Sequence, residues 1–79
     1  MQIDVFLYAS LARYLPQPNR EKHARLSLPA GATAGDILRQ LEVPEKKVKL
    51  IFVNGVRKDI SAPLADGDRV GFFPPVGGG

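Results

Sequence analysis

Residues 48–58 read VKLIFVNGVRK, and this stretch carries the strongest fold signal in the chain. A β-branched and aromatic run leads to Asn54-Gly55, a two-residue turn that tolerates the positive φ angles of tight β-hairpins. A short return strand comes next, so the stretch predicts a hairpin. Alternation along its first strand predicts Leu50 and Phe52 in the core, with Ile51 on the opposite face of the sheet.

The region after the hairpin predicts one more strand. Asp66 and Asp68 flank Gly67 in the manner of turn formers, and we interpret them as such rather than as an acid-base pair. Apolar residues with period two then run to Phe73. The last strand therefore follows this turn and leads directly into the C-terminal segment.

The region before the hairpin predicts one helix. Thr33 followed by Asp36 is typical of an N-cap with an acidic residue at the third helical position. The helix is expected to end before Pro44, because the residue before a proline disfavours helical backbone angles. Its apolar stripe consists of Ile37, Leu38 and Leu41.

Two N-terminal strands complete the pattern. MQIDVFLYA at 1–9 and ARLSLPAG at 24–31 alternate apolar and polar residues with period two. Residues 10–22 contain two prolines and an asparagine, which predicts a loop with one helical turn at 11–15.

The predicted element order is β-β-α-β-β-β. One helix laid across one face of a mixed sheet of four to five strands buries both apolar surfaces, which predicts an α+β protein of the β-grasp class. We expect a β-grasp domain over residues 1–73 and a flexible tail over residues 74–79. The expected core residues are Ile3, Val5, Leu26, Leu28, Ile37, Leu38, Leu41, Leu50, Phe52, Leu64, Val70 and Phe72.

Composition limits the available chemistry. The 79 residues suit one small domain, and with no cysteine the chain has no disulfide, no cysteine-ligated metal and no thiol nucleophile. His23 is the only histidine, and one imidazole does not make a metal site, so no metal is expected. The N-terminal apolar run is interrupted by Asp4 and is too short for a signal sequence or a membrane span. A cytoplasmic protein without a membrane partner is expected.

The net charge of +3 comes with basic stretches at 20–25 and 45–49. Such stretches form a solvated basic face, or attract an acidic partner surface or nucleic acid. No aromatic residues are interleaved with these lysines and arginines, so we expect no nucleic-acid partner.

The chain closes on PPVGGG at 74–79. Pro74 and Pro75 end a strand and project the rest of the chain, Val76 and three glycines, away from the sheet. From Pro74 to Gly79 the extended reach is roughly 16 Å. Glycines without a Cβ can thread a channel too narrow for side chains. A disordered tail or linker is the plainer interpretation of the same residues.

We expect the Gly79 carboxylate to be the reactive group. A carboxylate with a reference pKa near ~3.5 is a poor electrophile at neutral pH and must be activated. The sequence contains no phosphate-binding loop and no nucleophile-base set. The chain is therefore interpreted as a carrier or co-substrate, not an enzyme, and activation is expected from a partner.

Three segments together resemble the MoaD/ThiS family of ubiquitin-like sulfur carriers, nearest to the small subunit of molybdopterin synthase. They are MQIDV at 1–5, KLIFVNG at 49–55 and LADGDRVGFFPPVGGG at 64–79. The likeness runs the full length of the chain. Gly77 departs from it, since the family more often has serine or alanine at this position.

The resemblance implies that an adenylating enzyme of the ubiquitin-activating type uses ATP and Mg²⁺ to activate Gly79, with Gly78 and the rest of residues 74–79 threading its active site. A sulfurtransferase or desulfurase then supplies sulfur, leaving a thiocarboxylate for the molybdopterin synthase large subunit or another acceptor. The chain itself is expected to bind no cofactor. A ubiquitin-like modifier joined to lysines, a thiamin-type carrier and a non-covalent binding module remain alternatives.

A carrier also needs a docking surface. Strand alternation predicts Phe6, Ile51 and Phe73 on the sheet face away from the helix, and exposed apolar clusters of this kind mark interaction sites. The alternative is that the proline-containing loop covers one or more of them.

Overall fold

A computed structural model describes residues 1–16 and 23–76 of the chain. The strands are β1 Gln2–Leu7, β2 His23–Ser27, β3 Leu50–Val53, β4 Val56–Lys58 and β5 Arg69–Phe73. One α-helix, α1, spans Ala34–Leu41, and two short 3₁₀ helices span Ala9–Tyr14 and Glu45–Lys47. The predicted order of strands and helix is confirmed.

The five strands form one mixed sheet in the order β2-β1-β5-β3-β4. The central pair β1 and β5 is parallel, and every other pair is antiparallel. The first and last strands of the chain therefore lie side by side in the middle of the sheet. This topology is that of the β-grasp, as predicted, and it places the end of β5 at the centre of the sheet.

Helix α1 begins at the N-cap that the sequence predicted, and Thr33 and Asp36 form a capping box there. Thr33 accepts a hydrogen bond from the Asp36 amide, and the Asp36 carboxylate accepts one from the Thr33 amide at 2.8 Å. The helix ends at Leu41, and the C-cap residue Glu42 has a left-handed backbone with φ 59°. The Gly35 amide donates to the Ile60 carbonyl at 2.9 Å, which anchors the first turn of the helix against the loop before β5.

The turns also form where the sequence predicted them. Asn54 and Gly55 have φ 51° and 82°, which closes the β3–β4 hairpin. Asp66 accepts a hydrogen bond from the Gln2 amide at 2.6 Å, and Asp68 accepts one from the Ala65 amide at 2.8 Å. The Asp68 carboxylate therefore caps the turn before β5, as interpreted from the sequence, whereas the Asp66 carboxylate joins this turn to the first residue of β1.

The core lies between α1 and one face of the sheet. Most of the predicted core residues are buried or packed against this core, but the prediction for β3 is wrong. Ile51 and Val53 are buried, whereas Leu50 and Phe52 lie half-buried on the opposite face. Pairing with β5 sets this, because Ile51 lies opposite the fully buried Phe72.

Within residues 1–16 and 23–76, no helix is long and apolar enough to cross a membrane. The predicted helical turn at 11–15 is present as the 3₁₀ helix Ala9–Tyr14, which places Leu11 in the core.

Candidate functional site

The sheet face away from α1, called here the outer face, carries side chains in three rows that follow from strand register. The polar row contains Asn54, Arg69, Asp4 and Arg25. The aromatic row contains Arg57, Phe52, Gly71, Phe6 and His23. The apolar row contains Leu50, Phe73 and Tyr8 and lies nearest to the C-terminal segment.

The aromatic rings on this face contact one another across neighbouring strands. Tyr8 stacks on Phe73 with ring centroids 4.4 Å apart, and Phe6 stacks on His23 at 4.7 Å. Phe52 meets the edge of Phe73 at 5.6 Å. The outer face therefore carries an aromatic patch assembled from strands that are distant in sequence.

Gly71 leaves a gap in the middle of the aromatic row. Gly71 forms the floor of a groove of about 570 Å³, called here the Gly71 groove. The groove is lined by Phe6, Tyr8, Phe52, Asn54, Gly55, Arg69, Gly71 and Phe73. A Cβ at Gly71 would lie 3.2 Å from Cε2 of Tyr8, so a larger residue here would narrow the groove and press on the Tyr8 ring.

Charge on the outer face is mostly positive. Asp4 accepts a hydrogen bond from Arg25 Nε at 3.0 Å and lies 3.3 Å from His23 Nε2. These contacts, the Arg25 hydrogen bond above all, lower the pKa of Asp4 below its ordinary value. Among the described residues, Arg69 is the one charged residue that lines the Gly71 groove, and its Cζ lies 5.5 Å from the Phe6 ring centroid.

The predicted docking residues separate into two groups. Phe6 and Phe73 lie half-buried on the outer face, as predicted. Ile51 does not, because it is 7% exposed and packs in the core. Phe52, not Ile51, lies on the outer face beside Phe73. Alternation within Leu50–Val53 carries no information about this, because all four residues are apolar.

The predicted alternative, coverage of these rings by the proline-containing loop, involves residues 17–22, which lie outside the described residues. The described part of the loop, residues 10–16, includes most of the 3₁₀ helix Ala9–Tyr14 and turns Leu11 and Leu15 inward to the core.

The tail begins at the end of the central strand. The Phe73 carbonyl accepts a hydrogen bond from the Lys49 amide at 2.8 Å. Pro74 and Pro75 come next, half-buried and without amide hydrogens to extend the ladder. Val76 is 91% exposed. Gly77, Gly78 and Gly79, to which the sequence assigns the reactive end, lie outside the described residues.

Metal ligands do not cluster in the described part of the chain. Among residues 1–16 and 23–76, no three His, Cys, Asp or Glu side chains lie close enough together to hold a metal ion.

Comparison with known proteins identifies a family. The model of the Mut7-C ubiquitin family matches residues 1–77. No curated protein matches the chain.

Three solved structures are similar over nearly the whole chain. The Haloferax volcanii HVO 2177 protein is 28% identical with a TM-score of 0.77, covering 100% of this chain and 87% of its own. H. volcanii small archaeal modifier protein 1 is 25% identical with a TM-score of 0.73, covering 95% and 98%. A putative molybdopterin converting factor, subunit 1, from Pyrococcus furiosus is 26% identical with a TM-score of 0.69, also covering 95% and 98%.

Proposed function

This chain belongs to the Mut7-C ubiquitin family, and on that basis we propose that it is a sulfur carrier that works through a thiocarboxylate at Gly79. In the proposed cycle, the Gly79 carboxylate attacks the α-phosphorus of ATP in a partner enzyme, and pyrophosphate leaves. Sulfide, supplied as such or released from the persulfide of a sulfur-donor enzyme by a thiol that ends in a disulfide, then displaces AMP from the acyl-adenylate. The resulting thiocarboxylate delivers its sulfur to an acceptor, for which molybdopterin synthesis is the first candidate.

The observation that carries this proposal is how the chain leaves the sheet. β5 is the central strand, its last residue Phe73 belongs to the apolar row, and two prolines lead on to the 91% exposed Val76. A partner that covers the apolar row would therefore stand directly beside the start of the tail. Such an arrangement suits a protein that presents its chain end to another enzyme, because docking and delivery use adjacent surfaces.

The proposal requires partners for every chemical step. An adenylating enzyme of the ubiquitin-activating type would bind ATP and Mg²⁺, a sulfurtransferase or desulfurase would donate sulfur, and the large subunit of molybdopterin synthase or another acceptor would receive it. The similarity to the P. furiosus protein, a putative molybdopterin converting factor subunit, supports the molybdopterin pathway over thiamin-type carriers.

A second candidate function is supported by the similarity to small archaeal modifier protein 1. In this case the same activated Gly79 would form an amide bond with a lysine of another protein. The two functions share activation and differ only in the nucleophile that displaces AMP. A non-covalent module would use the outer face alone.

Intact mass spectrometry separates these functions. The protein is purified from its own cells, or incubated with ATP, sulfide and the cognate adenylating enzyme. Replacement of one oxygen by sulfur at the C-terminus would support the carrier. Conjugates with a Gly-Gly remnant on lysine would support the modifier. If neither product forms, the non-covalent binding module is favoured.

A further inference from the structure

Gly71 contributes no side chain to the aromatic row, and ring atoms of Tyr8 and Phe73 lie 3.2 and 3.7 Å from the position that its Cβ would take. Gly71 lies between Phe52 and Phe6 in the aromatic row, and adjacent strands are about 4.8 Å apart. Rings on this face already stack at such spacings, 4.4 Å for Tyr8 on Phe73 and 4.7 Å for Phe6 on His23. A ring from another molecule, placed in the groove, would lie beside Phe6, over whose ring the Arg69 guanidinium already lies at 5.5 Å.

The charges around Gly71 favour a negatively charged group next to the aromatic ring of a partner. Asp4 is the only carboxylate in the three rows, and it already binds Arg25. Within the described residues, neither Arg57 nor Arg69 forms an ion pair or side-chain hydrogen bond with a carboxylate. Of these two, only Arg69 lines the groove. A negatively charged group beside the ring would therefore find an uncompensated guanidinium.

We infer that the Gly71 groove receives one aromatic side chain of a partner protein, and that a carboxylate next to that side chain in the partner pairs with Arg69. The aromatic anchor fills a pocket between aromatic walls, which is the usual form of an interface hot spot. The apolar row beside it contacts the surrounding apolar surface of the partner.

A protein suits this face better than a nucleic acid. Nucleic-acid affinity depends on several cations along the phosphate backbone, commonly about 6 to 10 contacts. Among the described residues of the three rows, Arg57 and Arg69 are the arginines not bound to Asp4, and the third row carries no charged side chain. The aromatic row also has a single position without a side chain, at Gly71, whereas single-strand platforms stack successive bases.

This inference deepens the docking step of the proposed function and rests on it for the identity of the partner, but its test needs no partner enzyme. Three blocked tripeptides, Glu-Phe-Glu, Lys-Phe-Lys and Glu-Ala-Glu, are titrated into the protein while amide chemical shifts are followed by NMR. We expect Glu-Phe-Glu to shift the signals of Gly71, Phe6 and Phe52 at millimolar concentration. The other two peptides should bind at least about tenfold more weakly, since each lacks one of the two contacts.

Matched variants test the residues. Arg69→Gln should weaken Glu-Phe-Glu binding about tenfold, the loss of one charge-assisted hydrogen bond. Arg57→Gln removes the same charge from the same face outside the groove and should change binding less than about twofold. Gly71→Ala should abolish binding, because its Cβ enters the groove 3.2 Å from the Tyr8 ring. If Gly71→Ala unfolds the protein, the comparison of Arg69→Gln with Arg57→Gln still tests the inference.

Equal binding of the three peptides, equal effects of the two arginine variants, or shifts confined to another surface would each overturn the inference. Oligouridylate shifting the same signals at lower concentration than Glu-Phe-Glu would also overturn it, in favour of a nucleic-acid surface. None of these results affects the intact-mass test of sulfur transfer. The peptide titrations can therefore contradict the groove inference without contradicting the carrier function, and the reverse also holds.

Discussion

The ring of Tyr8 stacks on the ring of Phe73, with centroids 4.4 Å apart and planes 11° from parallel. Tyr8 comes directly after the first strand of the chain, and Phe73 is the last residue of the last strand. The contact is possible because Gly71, two residues earlier on β5, has no side chain to occupy the space beside the Tyr8 ring. The start of the tail is thus held against the N-terminal strand.

The position of Phe73 predicts how Phe73→Asp affects stability and partner binding. The site lies on the outer face, so the fold should survive, while a charge buried without a partner in a docked complex should weaken binding to the adenylating and sulfur-accepting enzymes. Circular dichroism and titration calorimetry measure the two effects. Loss of the fold would show that Phe73 is a core residue, and unchanged affinity would place the contact surface elsewhere.

Neighbouring residues on β3 test the register of the sheet. Ile51→Asp places a carboxylate in the core, where Ile51 is 7% exposed, and should cost at least about 4 kcal/mol, enough to unfold a small domain. Phe52→Asp changes the half-buried outer face and should cost about 1 kcal/mol. Urea unfolding of both variants checks the difference. The reverse order of stability would mean that β3 pairs one residue out of register.

Helix α1 gives a second stability test. Leu38 is 2% exposed, so Leu38→Ala should cost about 2 to 5 kcal/mol through lost burial and the cavity left behind. Leu41→Ala, at a half-buried site one turn later, is the control and should cost less than about 2 kcal/mol. A loss well under one kcal/mol for Leu38→Ala would contradict the packing of α1.

The capping box predicts a pH dependence. Hydrogen bonds from Thr33, and then from Arg39, lower the pKa of Asp36 below its ordinary value of 3.8. A carboxylate with a lowered folded pKa stabilises the fold above the unfolded value, and this contribution is lost as pH falls through the folded one. When the pH is lowered from neutral to below 3.8, the free energy of unfolding should therefore fall less in Asp36→Asn than in the parent protein.

Denaturant unfolding at a series of pH values measures this. Thr33→Ala is the companion variant and should cost about 1 kcal/mol at neutral pH, the usual loss for a helix N-cap. Parallel acid dependence in the parent and in Asp36→Asn would show that the capping carboxylate does not contribute.

The tail gives the sharpest test of the proposed function. Deleting Gly79, or adding one residue after it, should abolish thiocarboxylate formation. Thermal stability should hardly change, because Val76 is already 91% exposed. Gly78→Ala should be intermediate, since a methyl group restricts φ and narrows the clearance in a channel, and Gly77→Ala should be tolerated. Sulfur delivery at normal rates after Gly79 deletion would refute the carrier function.

Local signals in the sequence determined the elements of the fold. The Thr33-Asp36 pair set the start of α1, Asn54-Gly55 set the hairpin, and Gly67 between two aspartates set the turn before β5. Each of these depends on backbone conformations and hydrogen bonds within a few residues. For that reason, the order of elements and the β-grasp topology could be predicted from the sequence.

The tertiary structure alone decided which face each residue of β3 presents, and with it the composition of the site. All four residues of Leu50–Val53 are apolar, so alternation carried no information, and the choice came from pairing with Val70 and Phe72 on β5. The Gly71 groove is likewise built from side chains of β1, β3 and β5. Residues this distant in sequence become neighbours only through strand order and register, which are long-range properties of the folded sheet.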